Sequence, residues 1–573
     1  MLQPLVEYAA SHLTASEPGF KSRAVRWSIA LTANGRFLNI LPLGDDKRGR
    51  ELDRCPDMHN MNAGGRAHFL VESCQYVALL IKGDAAPDDK TRKRHAHYVE
   101  LLRQAGTVVP ALAPVADVMS DPGHVAKIRA ALIAHKAKPI DWMAWRIGTV
   151  DPRESPDVQQ WWRDWRRADL GVEATSQSLS DSSPRMASDA SMRCFLTGKL
   201  VRPLATHPKI TGLSGVGGLA MGDVMVGFDK SSFTSYGLDQ SANAAMGEEA
   251  VQRYVDGLND LIRNHSHKLS NVLVAHWYRD SVVAVEDPLA FLMGMDSEEL
   301  TEAGALASVR RLLEAIRSGE RADLGDNRYY ALTLSGAAGR VMARDWMEGR
   351  FEDLAGHIAA WFRDLAIVAR DGHALARDPK FLAVGGALVR DLKDLPAPTA
   401  ATLWRVALHG SPIPRSLMAQ ALARFRVEVI DKDQPPINHA RMGLIRAYFV
   451  RRKPGGDASM TAYLNPDHPA PAYHCGRLLA VFANLQRAAL GDVGAGVVQR
   501  YYAAASQTPG LILGRLSANA RNHLSKLDAT KPKLAWWFEG QLVTVQKLVK
   551  HFNKRTHLDR RGSSIVRSRN RGE

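Results

Sequence analysis

Apolar and polar positions alternate early in the chain. In "AVRWSIALTANGRFLNILPL" (residues 24–43), Val25, Trp27, Ile29 and Leu31 fall on one strand face, and Asn34-Gly35 follows, a pair that tolerates the positive φ angles of a type I′ turn. The pattern predicts a β-hairpin. "DVMVGF" (223–228), "NVLVAHWY" (271–278), "SVVAVE" (281–286) and "YYALTLS" (329–335) read as further strands, with helical stretches between them. After about Met342 the period changes. Leu478, Leu479, Val481, Phe482 and Leu485, and later Leu542, Val545, Leu548, Val549 and Phe552, recur at helical spacing. Pro396, Pro398, Pro412, Pro414 and the run "RRKPGGD" divide this half into groups of helices. The expected fold class is therefore α+β. A mixed region over 1–340 with β-hairpins is followed by an all-α helical bundle over 341–573, with no fixed-period repeat. The serine-rich stretch 174–191 has no apolar period and predicts a loop.

A chain of 573 residues needs more than one core. Its 45% hydrophobic and 24% charged content is that of a folded protein. Lysine and arginine exceed aspartate and glutamate by 15, and the isoelectric point is about 9.6, so a polyanion, above all nucleic acid, is the expected partner class. A basic protein that is merely soluble has the same totals, so clustering must decide between them. Cys55, Cys74, Cys194 and Cys475 are scattered without a C-x-x-C pair, which predicts neither a zinc site nor a disulfide framework. The first twenty residues lack a basic segment before an apolar run, and no 18 apolar residues stand together; a soluble, cytoplasmic-type chain with no membrane partner is expected. The last residues, 551–573, carry seven Lys/Arg against two acids, as either a phosphate-touching arm or a solubilising end.

Several familiar chemistries fail on local context. "GVGGLA" (215–220) fits a loose dinucleotide fingerprint, but the preceding "THPKITGLS" contains Pro208 and Gly212 and does not read as a buried strand. Gly198-Lys199 is followed by Leu200 and lacks the upstream glycine of a P-loop. His95/His97 and His265/His267 have no convergent carboxylates legible in sequence, so no metal and no cofactor is assigned. "WWRDWRR" (161–167) puts Trp161, Trp162 and Trp165 on one helix side, where they predict core packing. Arg163, Arg166 and Arg167 form another side, readable as a phosphate-facing surface or as a solvated face. "KTRKRHAHY" (90–98) is a second basic run of the same kind.

The segment 197–246 is the most distinctive. Gly212, Gly215, Gly217, Gly218, Gly222, Gly227 and Gly237 allow tight turns or close approach to a ligand. Lys199, Lys209 and Lys230 supply phosphate-binding charge, and Ser231, Ser232, Ser235, Gln240, Ser241 and Asn243 supply hydroxyls and amides, which pair donor with acceptor as base edges do. The competing structural reading is that these side chains satisfy backbone groups in turns.

The order "MRCFLTGK…HPKITGLSGVGGLAMGDVMVGFDKSSFTSYGLDQSANAAM" resembles the large subunit of the subtype I-C CRISPR Cascade effector, the Csd-type large-subunit family. The residues that carry the likeness are Cys194, Thr197, Gly198, His207, Pro208, Ile210, Phe228, Phe233, Ser235, Tyr236, Gly237, Gln240, Ser241, Asn243 and Ala244. "YYALTLSGAAGRVMARDWMEG" and "NPDHPAPAYHCGRLLAVFANLQRAALG" extend it through the chain, while Ala245 stands where the family has proline. The resemblance implies a subunit without catalysis of its own. It would bind CRISPR RNA near the 5′ handle beside the backbone and handle-binding subunits, read the short PAM of double-stranded target DNA, and help to open it. A recruited helicase-nuclease would then cut. By the same resemblance Lys230, Ser235, Gln240, Ser241 and Asn243 are the expected base or backbone contacts, with the loop 54–68, containing Asn60, Asn62 and Arg66, as second candidate. The carboxyl half would resemble the small-subunit module, and a separate small subunit would arise by internal translation from Met442 or Met460. The rival expectation is a stand-alone metal-dependent DNA nuclease, which needs a carboxylate cluster that the sequence does not display.

Overall fold

The computed structural model describes residues 1–14, 17–44, 49–58, 65–83, 86–169, 191–233, 238, 240–293, 304–430, 438–452, 456–491, 493 and 495–549. The serine-rich stretch up to residue 190, the tail 551–573 and Phe552 lie outside them. The fold is α+β, as expected, and the chain forms two compact units. One consists of Met1–Ser214, Gly218–Asn264 and Gly336–Met342; the other of Gly215–Gly217, His265–Ser335 and Ala343–Glu573. The chain passes between the two units more than once.

In the first unit β1 (Phe20–Val25) pairs antiparallel with β4 (Arg50–Pro56), and a four-stranded sheet runs in the order β3 (Phe37–Pro42), β2 (Trp27–Leu31), β6 (Trp142–Ile147), β5 (Glu72–Ser73). The predicted hairpin is β2–β3. Val25, however, belongs to β1, and all five residues of β2 are buried because it lies between two strands, parallel to β6 on one side. The turn also differs from the expected I′ form. Gly35 alone takes a positive φ (81°), and the Gly35 N–H donates to the Thr32 carbonyl at 3.0 Å. The consecutive positive φ angles of a two-residue I′ loop occur at Ala338 (48°) and Gly339 (84°). A core of Trp27, Ile29, Leu31, Phe69, Tyr98, Trp145 and Trp162 lies between the sheet and the helices Asp89–Val108, Ala113–Ser120, Pro122–Ala134 and Pro156–Asp169. Two of its buried polar side chains pair with each other: Trp145 Nε1 donates to the Tyr98 hydroxyl at 2.7 Å, and that hydroxyl to the Leu70 carbonyl at 3.2 Å.

A second four-stranded sheet runs in the order β12 (Arg340–Arg350), β11 (Arg328–Ala337), β10 (Val272–Tyr278), β9 (Ser266–Leu269), and all of it except Gly336–Met342 is counted in the second unit. Two predicted strands are therefore present, and two are not. Among the described residues, 223–228 make single bridges only, and 281–286 end in a 3₁₀ turn, Ala284–Glu286, with Val283 and Val285 exposed and no strand paired with them. Strand structure persists to Arg350, eight residues past the expected change, because the sheet and the helices Phe351–Leu365, Ala397–His409, Arg415–Glu428 and His439–Val450 share one core. The last two of these helices are joined by an ion pair between Glu428 and the buried Arg441. Pro396 and Pro414 precede helices, as predicted; Pro471 and Pro509, which were not singled out, begin two more.

A separate core follows in the helices Pro471–Leu490, Val497–Gln507, Pro509–Asp528 and 532–549. Leu478, Leu479, Phe482 and Leu485 pack there with Leu542 and Val545. Among the described residues, no member of this core precedes Cys475, and none of the preceding core follows Tyr448.

Candidate nucleic-acid interface

The glycine-rich segment is held by backbone pairing more than by regular elements. The hairpin of β7 (Met192–Arg193) and β8 (Leu200–Val201) turns through Gly198 (φ 70°), which leaves Lys199 exposed at its tip. Further on, Ile210 and Asp223 exchange both backbone hydrogen bonds at 2.8 Å and close a loop. Asp223 is fully buried, and the Leu219 N–H faces both of its carboxylate oxygens at 3.2 Å. Lys209 stands exposed at the foot of this loop, and Leu219 and Met221 project from it, 48% and 80% exposed.

The next residues are pinned by Arg340, whose guanidinium donates to Asp229 at 2.6 Å and to the Gly227 carbonyl at 3.2 Å. Lys230 is exposed beside them. The 3₁₀ turn Gln240–Ala244 then divides the expected contacts. Ser241 is buried, with its N–H on the Ala205 carbonyl at 3.2 Å, and the Asn243 amide donates to the Gln240 carbonyl at 3.0 Å. For these two the structural reading of turn residues accounts for the geometry. Gln240 is exposed, on a backbone with φ of 47° that a non-glycine residue seldom adopts. Ser235 lies outside the described residues. Lys199, Lys209, Lys230 and Gln240 thus remain turned to solvent.

The helix Pro156–Asp169 departs from the expected division into tryptophan and arginine sides. Trp162 is buried and donates to the Gly19 carbonyl at 2.7 Å, and Phe69 stacks on it at 5.5 Å. Arg166 is four residues further on, so it shares that inward face and is buried in an ion pair with Glu248. Gly19 (φ 88°) makes room for it: a Cβ there would fall 2.8 Å from Arg166 Cδ. Arg163 pairs with Glu17, which also accepts from Arg54 at 2.9 Å; the hydrogen bond from Arg163 holds the Glu17 carboxyl below its usual range. Arg167 is exposed and bonds Asp164 at 3.2 Å. Of the three, only Arg167 lies on an open face, because a helix turns 100° per residue and cannot keep 163, 166 and 167 all opposite 161, 162 and 165.

The basic run 90–98 is similarly divided. Arg92 pairs with Asp89, Arg94 lies 4.8 Å over the Tyr76 ring, and Lys90 and Lys93 are exposed. Asn60 and Asn62 lie outside the described residues, and Arg66 is half-buried. Their flanks rest on a polar network. Arg23 pairs with Asp57, contacts His68 Nε2 at 3.1 Å and lies 4.0 Å over Trp142; His68 Nδ1 accepts from the Met58 N–H at 2.9 Å, and Glu72 from the His68 N–H at 2.9 Å.

Two exposed features escaped the sequence reading. One is the apolar tip Leu219–Met221, whose signal was three apolar residues between glycines. The other is Trp536 and Trp537 on the last described helix, 77% and 51% exposed; over 471–549 nine Lys/Arg accompany three Asp/Glu. All four cysteines are free thiols. Among the described residues no group of three or more His, Cys, Asp or Glu is placed to hold a metal ion, and no helix is long and apolar enough to cross a membrane.

The sequence model of a family described as CRISPR-associated protein (Cas_Csd1) matches residues 5–566. No curated protein matches the chain.

Burial drives the His68 imidazole down to about 3, so the folded unit keeps it neutral where the unfolded chain binds a proton. Stability is therefore complete above about pH 6.5 and falls as the pH drops toward 3, by up to about 1.4 kcal/mol per pH unit from this one group. Thermal unfolding followed from pH 7.5 to 5 should show this slope, and His68→Gln should flatten it; an equal slope in both proteins assigns the loss to other groups.

Proposed function

The chain belongs to the Csd1 family of CRISPR-associated proteins, and from that premise we propose that it is the non-catalytic large subunit of a type I-C RNA-guided surveillance complex, the subunit that reads the PAM duplex and promotes R-loop formation. Base pairing to the guide supplies sequence specificity in such a complex, so the protein needs only shape, phosphate and a few base contacts. The observation that carries the reading is the 197–246 segment. It turns Lys199, Lys209, Lys230 and Gln240 to solvent around a tightly closed glycine loop with an apolar tip. Lysines there meet phosphates, an amide reads the donor and acceptor pattern of a groove, and Leu219 and Met221 are suited to enter a base step as proteins of the minor groove do. Ser241 and Asn243 shape the turn that presents Gln240, and Arg167 adds a phosphate contact.

The carboxyl helices serve in the same proposal as a module resembling the small subunit. Their excess of lysine and arginine and the exposed Trp536 and Trp537 suit a single strand, whose bases stack on aromatic rings and whose phosphates meet cations. CRISPR RNA, the backbone and handle-binding subunits and a recruited helicase-nuclease complete the set of partners. Internal translation from Met460 would retain every member of the last core, whereas a start at Met442 would cut the His439–Val450 helix, which belongs to the preceding core. The intact mass of a fragment that copurifies with the complex should correspond to the Met460 start; a mass from Met442, or no fragment at all, refutes this.

The reading is tested by binding of the reconstituted guide complex to target DNA carrying a PAM library, at fixed salt. Gln240→Ala should relax discrimination at one PAM position, by about 1–3 kcal/mol, while Lys230→Ala should weaken all sequences alike. Unchanged preference in Gln240→Ala moves the reader elsewhere, first of all to the loop 54–68.

A further inference from the structure

The loop between Ile210 and Asp223 contains a charge whose presence its packing does not explain. A carboxylate with no exposed surface is costly unless it is well bonded, and an apolar side chain of similar size would fill the same space without that cost. The Asp223 carboxylate is directed instead at one backbone donor, the Leu219 N–H, from both oxygens at 3.2 Å. Its surroundings leave it little freedom. A Cβ at Gly218 would strike Asp223 Oδ2 and lie 2.8 Å from Leu213 Cβ, and a Cβ at Gly222 would lie 2.9 Å from the Ile210 carbonyl and 3.0 Å from Lys209 Cβ. The Gly222 N–H closes the turn by donating to the Leu219 carbonyl at 3.0 Å. Leu219, Ala220 and Met221, between these two glycines, are all exposed.

We propose that Asp223 is the positioning residue of this tip: by holding the Leu219 N–H it fixes Leu219 and Met221 in the outward setting from which they enter a base-pair step beside the PAM, with Lys209 on the adjacent phosphate. The inference rests on the PAM-reading function above and adds to it a residue that touches no DNA. Preorganisation is the physical gain. A tip fixed before contact loses less conformational freedom when it enters the stack, so the carboxylate acts on the rate of opening rather than on general affinity.

The test is a double-mutant cycle in the reconstituted guide complex, read by the rate of target-strand opening with a fluorescent base analogue beside the PAM and by affinity for nonspecific duplex. Asp223→Ala should slow opening about tenfold, as expected for the loss of a charge-assisted hydrogen bond, and leave nonspecific affinity unchanged. Asp223→Asn, which keeps one acceptor oxygen, should recover most of the rate. Gly218→Ala, which displaces the carboxylate without removing it, should reproduce the loss and serves as the second arm if Asp223→Ala does not fold. In a Leu219→Ser, Met221→Ser background the Asp223 substitution should have no further effect. A further, additive loss in that background overturns the proposal, because Asp223 then acts elsewhere. An unchanged rate in the tip variants alone also overturns it, while the Gln240 library result still decides the PAM-reading function independently.

Discussion

Desolvation of arginine is the constraint on which the rest of this structure depends. A guanidinium turned away from water must find an acid or a carbonyl, or its burial costs several kcal/mol. With an excess of 15 positive charges, the chain cannot neutralise every cation. It commits many of its acids to the arginines that its helices bring inward: Glu248 to Arg166, Glu17 to Arg163, Glu428 to Arg441, Asp364 to Arg451. These pairs act as structural joints between elements, and all but Glu428–Arg441 link segments more than 80 residues apart in sequence. What remains for a polyanion is the charge that no fold contact requires, and around the glycine-rich segment that charge is carried by lysine.

This division suits a protein that reads DNA through a few contacts. Lysine is a compact, rotatable charge that meets a phosphate from many angles, whereas the fork of arginine is best where geometry is fixed, as it is inside these units. Glycine makes the rest possible. At Gly218 and Gly222 a side chain would collide with the loop's own closure, so glycine there lets a short segment turn back on itself with Leu219 and Met221 exposed. Asp223, Gly218 and Gly222 together form a stiff support for the residues offered to solvent.

Much of this was legible in the sequence, and what was not has physical causes. The β2–β3 hairpin and β10 and β11 followed from apolar runs, and the carboxyl helices from apolar spacing with prolines at their starts. The valines of 281–286 carry strand propensity but pair with no strand among the described residues, and propensity cannot supply a partner. Asn34-Gly35 has the residues of a type I′ turn, yet only Gly35 takes a positive φ, while the consecutive positive φ angles occur at Ala338-Gly339, a pair with no such signature. The chemically suited residues of 197–246 were recognisable as a set, but composition cannot separate Gln240, which is exposed, from Ser241, which is buried next to it. Arg166 illustrates the same limit: its residue type suggested phosphate, while its spacing from Trp162 placed it in the core.

The central claim, that the lysines left unspent by the fold bind DNA phosphates, is tested most directly by salt dependence. The affinity of the reconstituted complex for PAM duplex should be measured across a series of salt concentrations, for the natural chain and for Lys199→Ala, Lys209→Ala, Lys230→Ala combined. Each phosphate contact contributes about 0.9 to the slope of log affinity against log salt, so the triple variant should lose about 2 to 3 from that slope. An unchanged slope would show that these lysines do not meet DNA and would contradict the account.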